Sequence, residues 1–181
     1  MKLSLSKSLG CALLAVMTTA LAACGQSTLS GEGAKAAVGA TAVDFSLDDI
    51  EGNRFRLSDH LGKKVIVLDF WATWCDPCKA SMPHLIELYE KYKDQGLLVV
   101  GVSIDGPESI AQVKKDVAQM GMTFPVVLDT ESRVVAQYNP RRSAPYSVVI
   151  DKNGHVIKRH DGYTAGDEIE LARVVEAELA K

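Results

Sequence analysis

Cysteine is scarce in this chain of 181 residues: there are four, too few for a small scaffold stapled by several disulfides. The four histidines, His60, His84, His155 and His160, fall into no Cys₂His₂ spacing with them, so a structural zinc site is not expected. Positive charge is not in excess, because 20 lysines and arginines face 23 aspartates and glutamates for a formal net charge of −3. That removes the electrostatic case for a nucleic-acid partner. No repeat is visible, and after the first two dozen residues no apolar run is long enough for a second membrane segment. One folded domain is the economical reading.

The cysteine that is present is concentrated at one point. Val67-Leu68-Asp69-Phe70-Trp71-Ala72-Thr73-Trp74-Cys75-Asp76-Pro77-Cys78-Lys79 ends a hydrophobic strand in a Cys-x-x-Cys where a helix should begin. A helix start offers unpaired N–H groups and the positive end of the dipole, both of which favour a thiolate. Cys75 is therefore the expected nucleophile, and Cys78, one turn on, the resolving thiol that attacks a mixed disulfide formed on Cys75. A fall in thiol pKa from near 8.5 to about 7 raises the thiolate fraction at neutral pH from roughly 3% to about half. No cofactor is needed for this chemistry.

The N-terminus carries Lys2 and Lys7 and then an apolar run over 9–23, too short and wrongly flanked for a spanning helix and readable as a secretory signal. Leu21-Ala22-Ala23-Cys24 resembles a bacterial lipobox, which implies cleavage before Cys24 and lipid attachment to its sulfur. Cys11 then leaves with the signal and Cys24 is consumed as a thioether. Only Cys75 and Cys78 remain as thiols, free for chemistry. The expected organisation is a lipoprotein signal over 1–23, a flexible Gly-, Ser- and Ala-rich tether over 24–40, and one domain over 41–181.

Alternating Arg54-Phe55-Arg56-Leu57 predicts an edge strand, and the apolar runs over 64–70 and 97–104 predict buried central strands. Helices are predicted over 76–93, with Pro77 tolerated in the first turn and Pro83 removing an interior hydrogen bond, and from Pro107 to Gly121, with Ile110, Val113, Val117 and Met120 as its apolar stripe. A short strand over 126–128, a short helix over 132–138, strands over 146–150 and 155–159 joined by Lys152-Asn153-Gly154, and a helix over 167–179 complete an α/β order.

Together these residues resemble the thioredoxin superfamily, and specifically its exported, membrane-tethered TlpA/ResA-like thiol-disulfide oxidoreductases. The resemblance rests on the 65–70 strand, Trp-Ala-Thr-Trp-Cys, Pro77, Pro83, Ala144-Pro145-Tyr146 and the 148–154 strand and turn, and spans roughly residues 40 to 181. It implies an α/β thioredoxin-like fold, a central mixed sheet flanked by helices, with the insertion of this branch over 97–138. It implies a cis peptide before Pro145, where the backbone of Ala144 meets an extended substrate. Asp69 matches the buried acid of thioredoxins, expected to have a raised pKa and to exchange a proton with Cys78. Trp74 and Pro77 are expected at the contact surface. Ser81 departs from the Glu common in this branch and weakens a transfer of its cytochrome c maturation role. Arg141 and Arg142 read either as a steering patch or as solvated loop charges.

The resulting expectation is an exported, lipid-anchored monomer that reduces protein or peptide disulfides and is recharged by a thiol-type membrane donor. Asp69, the negative Asp76 between the cysteines and Pro77 all lean toward reduction. The reverse direction, oxidase or isomerase, and a copper-binding module are the alternatives. Peroxide chemistry is not expected, since no Pro-x-x-x-Thr-x-x-Cys is present. Gly25 after Cys24 gives no Asp-type retention signal, so outer-membrane sorting is expected in a Gram-negative cell.

Overall fold

The computed structural model describes residues 36–181; the expected signal, Cys24 and the tether up to residue 35 lie outside the described residues. Two runs rich in β-branched residues, Val65–Trp71 (β3) and Leu97–Ser103 (β4), are buried at every position and pair in parallel. Strands with no solvated face carry no polar alternation, which is why both read as continuous apolar stretches. They form the centre of a five-stranded mixed sheet in the order β5-β4-β3-β6-β7, with Val126–Leu128 (β5) parallel to β4, and with Tyr146–Ile150 (β6) and Val156–Asp161 (β7) antiparallel. Ser46–Asp48 (β1) and Arg54–Arg56 (β2) make a separate antiparallel pair. The three-residue β1, with one buried position, carried too little pattern to be read from sequence.

Helices Asp76–Tyr92 (α1), Ile110–Met120 (α2), Arg133–Tyr138 (α3) and Asp167–Leu179 (α4) complete the layers. The alternation along β3 sorts its side chains: Ile66, Leu68 and Phe70 enter a core with Val134, Val135 and Tyr138, whereas Val65, Val67 and Trp71 enter one with Met82, Leu85, Val113 and Val175. Asp69 shares the parity of the second set and faces the side of the sheet that carries Cys75 and Cys78. Helix α1 runs through Pro83, which is exposed, and α2 stops at Gly121 with φ of 66°, a left-handed position where glycine avoids the Cβ penalty.

The folded part starts earlier than position 41. Ala36 is buried and its N–H donates to the Gln137 carbonyl, Gly39 N–H donates to Val156 O at 2.7 Å, and Val156 N–H donates to Ala40 O. Residues 36–40 therefore dock against β7 and α3 rather than belonging to a free tether. Among the described residues no helix is long and apolar enough to cross a membrane.

Gly101, opposite Asp69 on β4, makes room for the Trp71 indole. A Cβ there would sit 3.2 Å from Trp71 Nε1 and from the Phe124 ring, and 3.3 Å from Val126. Gly101→Ala should therefore cost about 1–3 kcal/mol in urea unfolding, as overpacking of a rigid core does. An unchanged midpoint would mean that these rings give way freely.

Candidate active site

Strand β3 ends at Trp71, and four residues later Cys75 caps α1. Its Sγ accepts a hydrogen bond from Cys78 N–H at 3.2 Å, taking one of the donors that a helix start leaves unpaired. The two cysteines are joined in a disulfide with Cα atoms 5.3 Å apart. Both are buried, Cys75 at 3% exposure and Cys78 at 0%, whereas Trp74 beside them is 65% exposed. Asp76 and Pro77 are also exposed, so the dithiol lies just under a surface formed by Trp74, Asp76 and Pro77. Trp71 is fully buried and belongs to the core.

The Ala144-Pro145 peptide is cis, as the resemblance implied. Ala144 packs against the cluster that contains both cysteines, and Pro145 is buried. The loop leading to it is held by Asn139, whose side-chain amide donates to Ser143 O at 2.6 Å. Arg141 is 86% exposed and 3.7 Å from Asp161, a surface ion pair, and Arg142 sits at φ of 53°.

Asp69 is 5% exposed, and its Oδ2 has no hydrogen-bond partner among the described residues. Burial pushes its carboxyl up to about 7, because a charged carboxylate is poorly solvated there. It lines a cavity with Ser81, Leu85 and Pro145 at the inner end and His84, His160 and Tyr163 toward the rim. Ser81 turns its hydroxyl back to Cys78 O at 3.0 Å.

The site thus gathers Cys75, Cys78, Trp74 and Pro77 at one helix start, with Ala144 against them and Asp69 and Pro145 sharing a cavity. Cys24 lies outside the described residues. Two groups escaped the sequence reading. Asp105 is 4% exposed and accepts from Thr73 N–H at 3.0 Å, from Thr73 Oγ1 at 2.6 Å and from Ser103 Oγ at 2.9 Å, which fixes the loop between β3 and Trp74. The signal was available: an acid just past the carboxyl end of a buried strand, where sites of open α/β sheets gather. Asp116 of α2, buried, lies 3.5 Å from Lys79, the residue after Cys78, and ties the first turn of α1 to α2. Nothing in local sequence pairs these two.

Comparison with known proteins agrees with this geometry. A family model described as AhpC/TSA family matches residues 38–159. The chain is 40% identical over 159 residues to the thiol-disulfide oxidoreductase ResA of Geobacillus kaustophilus, covering 86% of this chain and 89% of that protein. It is 36% identical over 150 residues to the ResA of Halalkalibacterium halodurans, covering 83% of each. A crystal structure from Chlorobium tepidum, assigned as a thiol:disulfide interchange protein DsbE, superposes with a TM-score of 0.73 at 35% identity, over 79% of this chain and 98% of that one.

Burial of Asp69 also makes stability depend on pH. Its folded value of about 7 lies above the reference value of 3.8. Between these two the folded state binds more protons than the unfolded one, so the contribution of this group is greatest at low pH, falls as pH rises through that window and stays lost above it. The full difference is on the order of 4 kcal/mol. Asp69→Asn, which keeps the shape without ionising, should match the wild type near pH about 4 and exceed its stability by up to that amount at pH about 8, in urea unfolding of the oxidised protein. An equal difference at both pH values would show that Asp69 ionises without penalty.

Proposed function

The chain belongs to the AhpC/TSA family of thioredoxin-fold proteins, and from that premise we propose that it is an exported thiol-disulfide oxidoreductase that reduces protein disulfides through Cys75 and Cys78. The observation that carries this reading is the Cys75 sulfur at the first turn of α1, accepting the Cys78 N–H beside the exposed Trp74. The same donor that caps a sulfur in the disulfide stabilises a thiolate on Cys75 after reduction.

In the reducing direction, the Cys75 thiolate attacks one sulfur of a substrate disulfide, forming a mixed disulfide and expelling a substrate thiolate. Cys78 then loses its proton to Asp69 and attacks Cys75 Sγ, which closes the enzyme disulfide and releases the second substrate thiolate. Trp74, Pro77, Ala144 and Pro145 form the surface on which the substrate chain lies. Asp69, poised near neutrality, can both take and return a proton, and the exposed Asp76 adds negative charge beside the pair. Both support reduction, after which a thiol-type membrane donor restores the dithiol. The N-terminal pattern supports removal of residues 1–23, lipid attachment at Cys24, a tether of roughly ten residues and, in a Gram-negative cell, outer-membrane sorting.

The deciding measurement is the equilibrium reduction potential of residues 25–181 against dithiothreitol or glutathione buffers, with free thiols counted. A value below about −230 mV supports electron delivery, whereas one between about −120 and −180 mV overturns it in favour of oxidation or isomerisation. Cys78→Ser should trap the mixed disulfide with substrate on Cys75, visible as a thiol-sensitive adduct in non-reducing electrophoresis; absence of any adduct would remove Cys75 as the nucleophile. Metabolic labelling with radioactive palmitate should mark the full chain and not Cys24→Ala, and equal labelling of both would remove the lipid anchor.

A further inference from the structure

Three side chains on neighbouring strands form one polar row across the sheet. Asp69 of β3 is the register partner of Ser147 on β6, and Ser147 is the register partner of His160 on β7. Register partners project to the same face about 4.5–5.5 Å apart at Cβ, so the row spans two strand spacings. All three line the cavity behind the dithiol, whose volume of about 80 Å³ has room for several waters. Its outer end is half exposed: His160 Nε2 lies 3.0 Å from Asp167 Oδ2 at the start of α4. The walls between are apolar, Leu85, Leu88 and Val149 among them.

Asp69 Oδ2 has no hydrogen-bond partner among the described residues and the residue is only 5% exposed, so its proton reaches solvent by way of this cavity. We propose that Ser147 and His160 are positioning residues that carry the Asp69 proton between the buried carboxyl and solvent through this cavity. The proposal rests on the dithiol reading above. As Cys78 attacks Cys75 Sγ, its proton passes to the Asp69 carboxylate. The Asp69 carboxyl then gives that proton, by way of the Ser147 hydroxyl and cavity water, to the His160 imidazole, which releases it to bulk water. The carboxylate is restored for the next cycle and no other species is consumed.

The remaining charged groups facing His160 are already engaged. Lys158 of β7 pairs with Glu170 of α4 at 2.7 Å, and Tyr163 Oη donates to Glu168 of α4 at 3.1 Å. The Asp167 carboxylate is held below the usual range, chiefly by the Thr164 N–H, and so stays charged beside the imidazole. His84 of α1 lies at the rim but off the row, its ring 6.4 Å from that of Tyr163.

The test is repeated closure of the mixed disulfide on Cys75 of the full chain during multiple-turnover reduction of a peptide disulfide, with dithiothreitol as donor, followed against pH. Multiple turnovers are required because the relay restores the Asp69 carboxylate between them. His160→Ala should slow closure about tenfold with substrate affinity unchanged, added imidazole should restore it in proportion to its concentration, and Ser147→Ala should slow it less. His84→Ala should not slow it. In an Asp69→Asn background His160→Ala should have no further effect, since both changes cut one route. Wild-type rates with His160→Ala, or a loss that imidazole does not restore and that adds to Asp69→Asn, would overturn the relay while leaving the dithiol reading intact. Failure of the wild type to close the mixed disulfide would overturn both. Should His160→Ala fold poorly, His160→Gln carries the same expectations.

Discussion

Burial of β3 on both faces is the constraint from which the site follows. A strand with no solvated face cannot shift register without moving its whole apolar set, so its carboxyl end is fixed in space. From that end Ile104 N–H donates to Trp71 O at 3.0 Å and Asp105 holds Thr73, so the chain leaves the sheet along one path. Helix α1 begins directly afterwards, and its first free N–H groups fall on Cys75. The position of the sulfur is thus set by packing, and its chemistry by the backbone donors that packing leaves over.

The same burial explains why an acid can be held at position 69. Fully buried apolar side chains contribute roughly 1.5–3 kcal/mol each, and β3 buries six of them around one carboxyl. Against that sum an ionisation penalty on the order of 4 kcal/mol is tolerable. The strand holds Asp69 in a place it could not reach as an exposed residue, and the penalty moves its titration into the range where proton exchange with a thiol is balanced.

Sequence periodicity made the central elements legible because each carries a strong local pattern. The runs of β3 and β4 and the helix start at Cys75 reappear within a residue of their expected bounds. Helix α2 ends at Gly121 as expected but starts at Ile110, three residues after Pro107, behind a short 3₁₀ turn over Pro107–Ser109. What stayed hidden depends on pairing between distant segments. Strand β1 exists because Ser46–Asp48 finds Arg54–Arg56, and the docking of residues 36–40 depends on Gln137, which holds Ala36, and on Val156, which holds Gly39 and Ala40. At the site, Cys75 and Cys78 announce themselves by spacing. Asp105, Asp116, Ser147 and His160 acquire meaning only once the sheet sets their neighbours, and no local pattern marks a serine on an interior strand as part of a polar row.

Ser81 sharpens the role of Asp69. Its hydroxyl donates to the Cys78 carbonyl of its own helix and so adds no ionisable group to the cavity. Among the described lining residues, the acids other than Asp69, namely Asp167, Glu168 and Glu170, sit on α4 toward the rim, with partners of their own. The inner end therefore has one titratable group, and its pKa is set by desolvation. Such a group responds to how much water enters the cavity. Anything that covers the cavity mouth shifts the balance toward the neutral acid, and anything that opens it shifts the balance toward the carboxylate. In the proposed mechanism, water access behind the sheet and thiol chemistry in front of it are coupled through this single side chain.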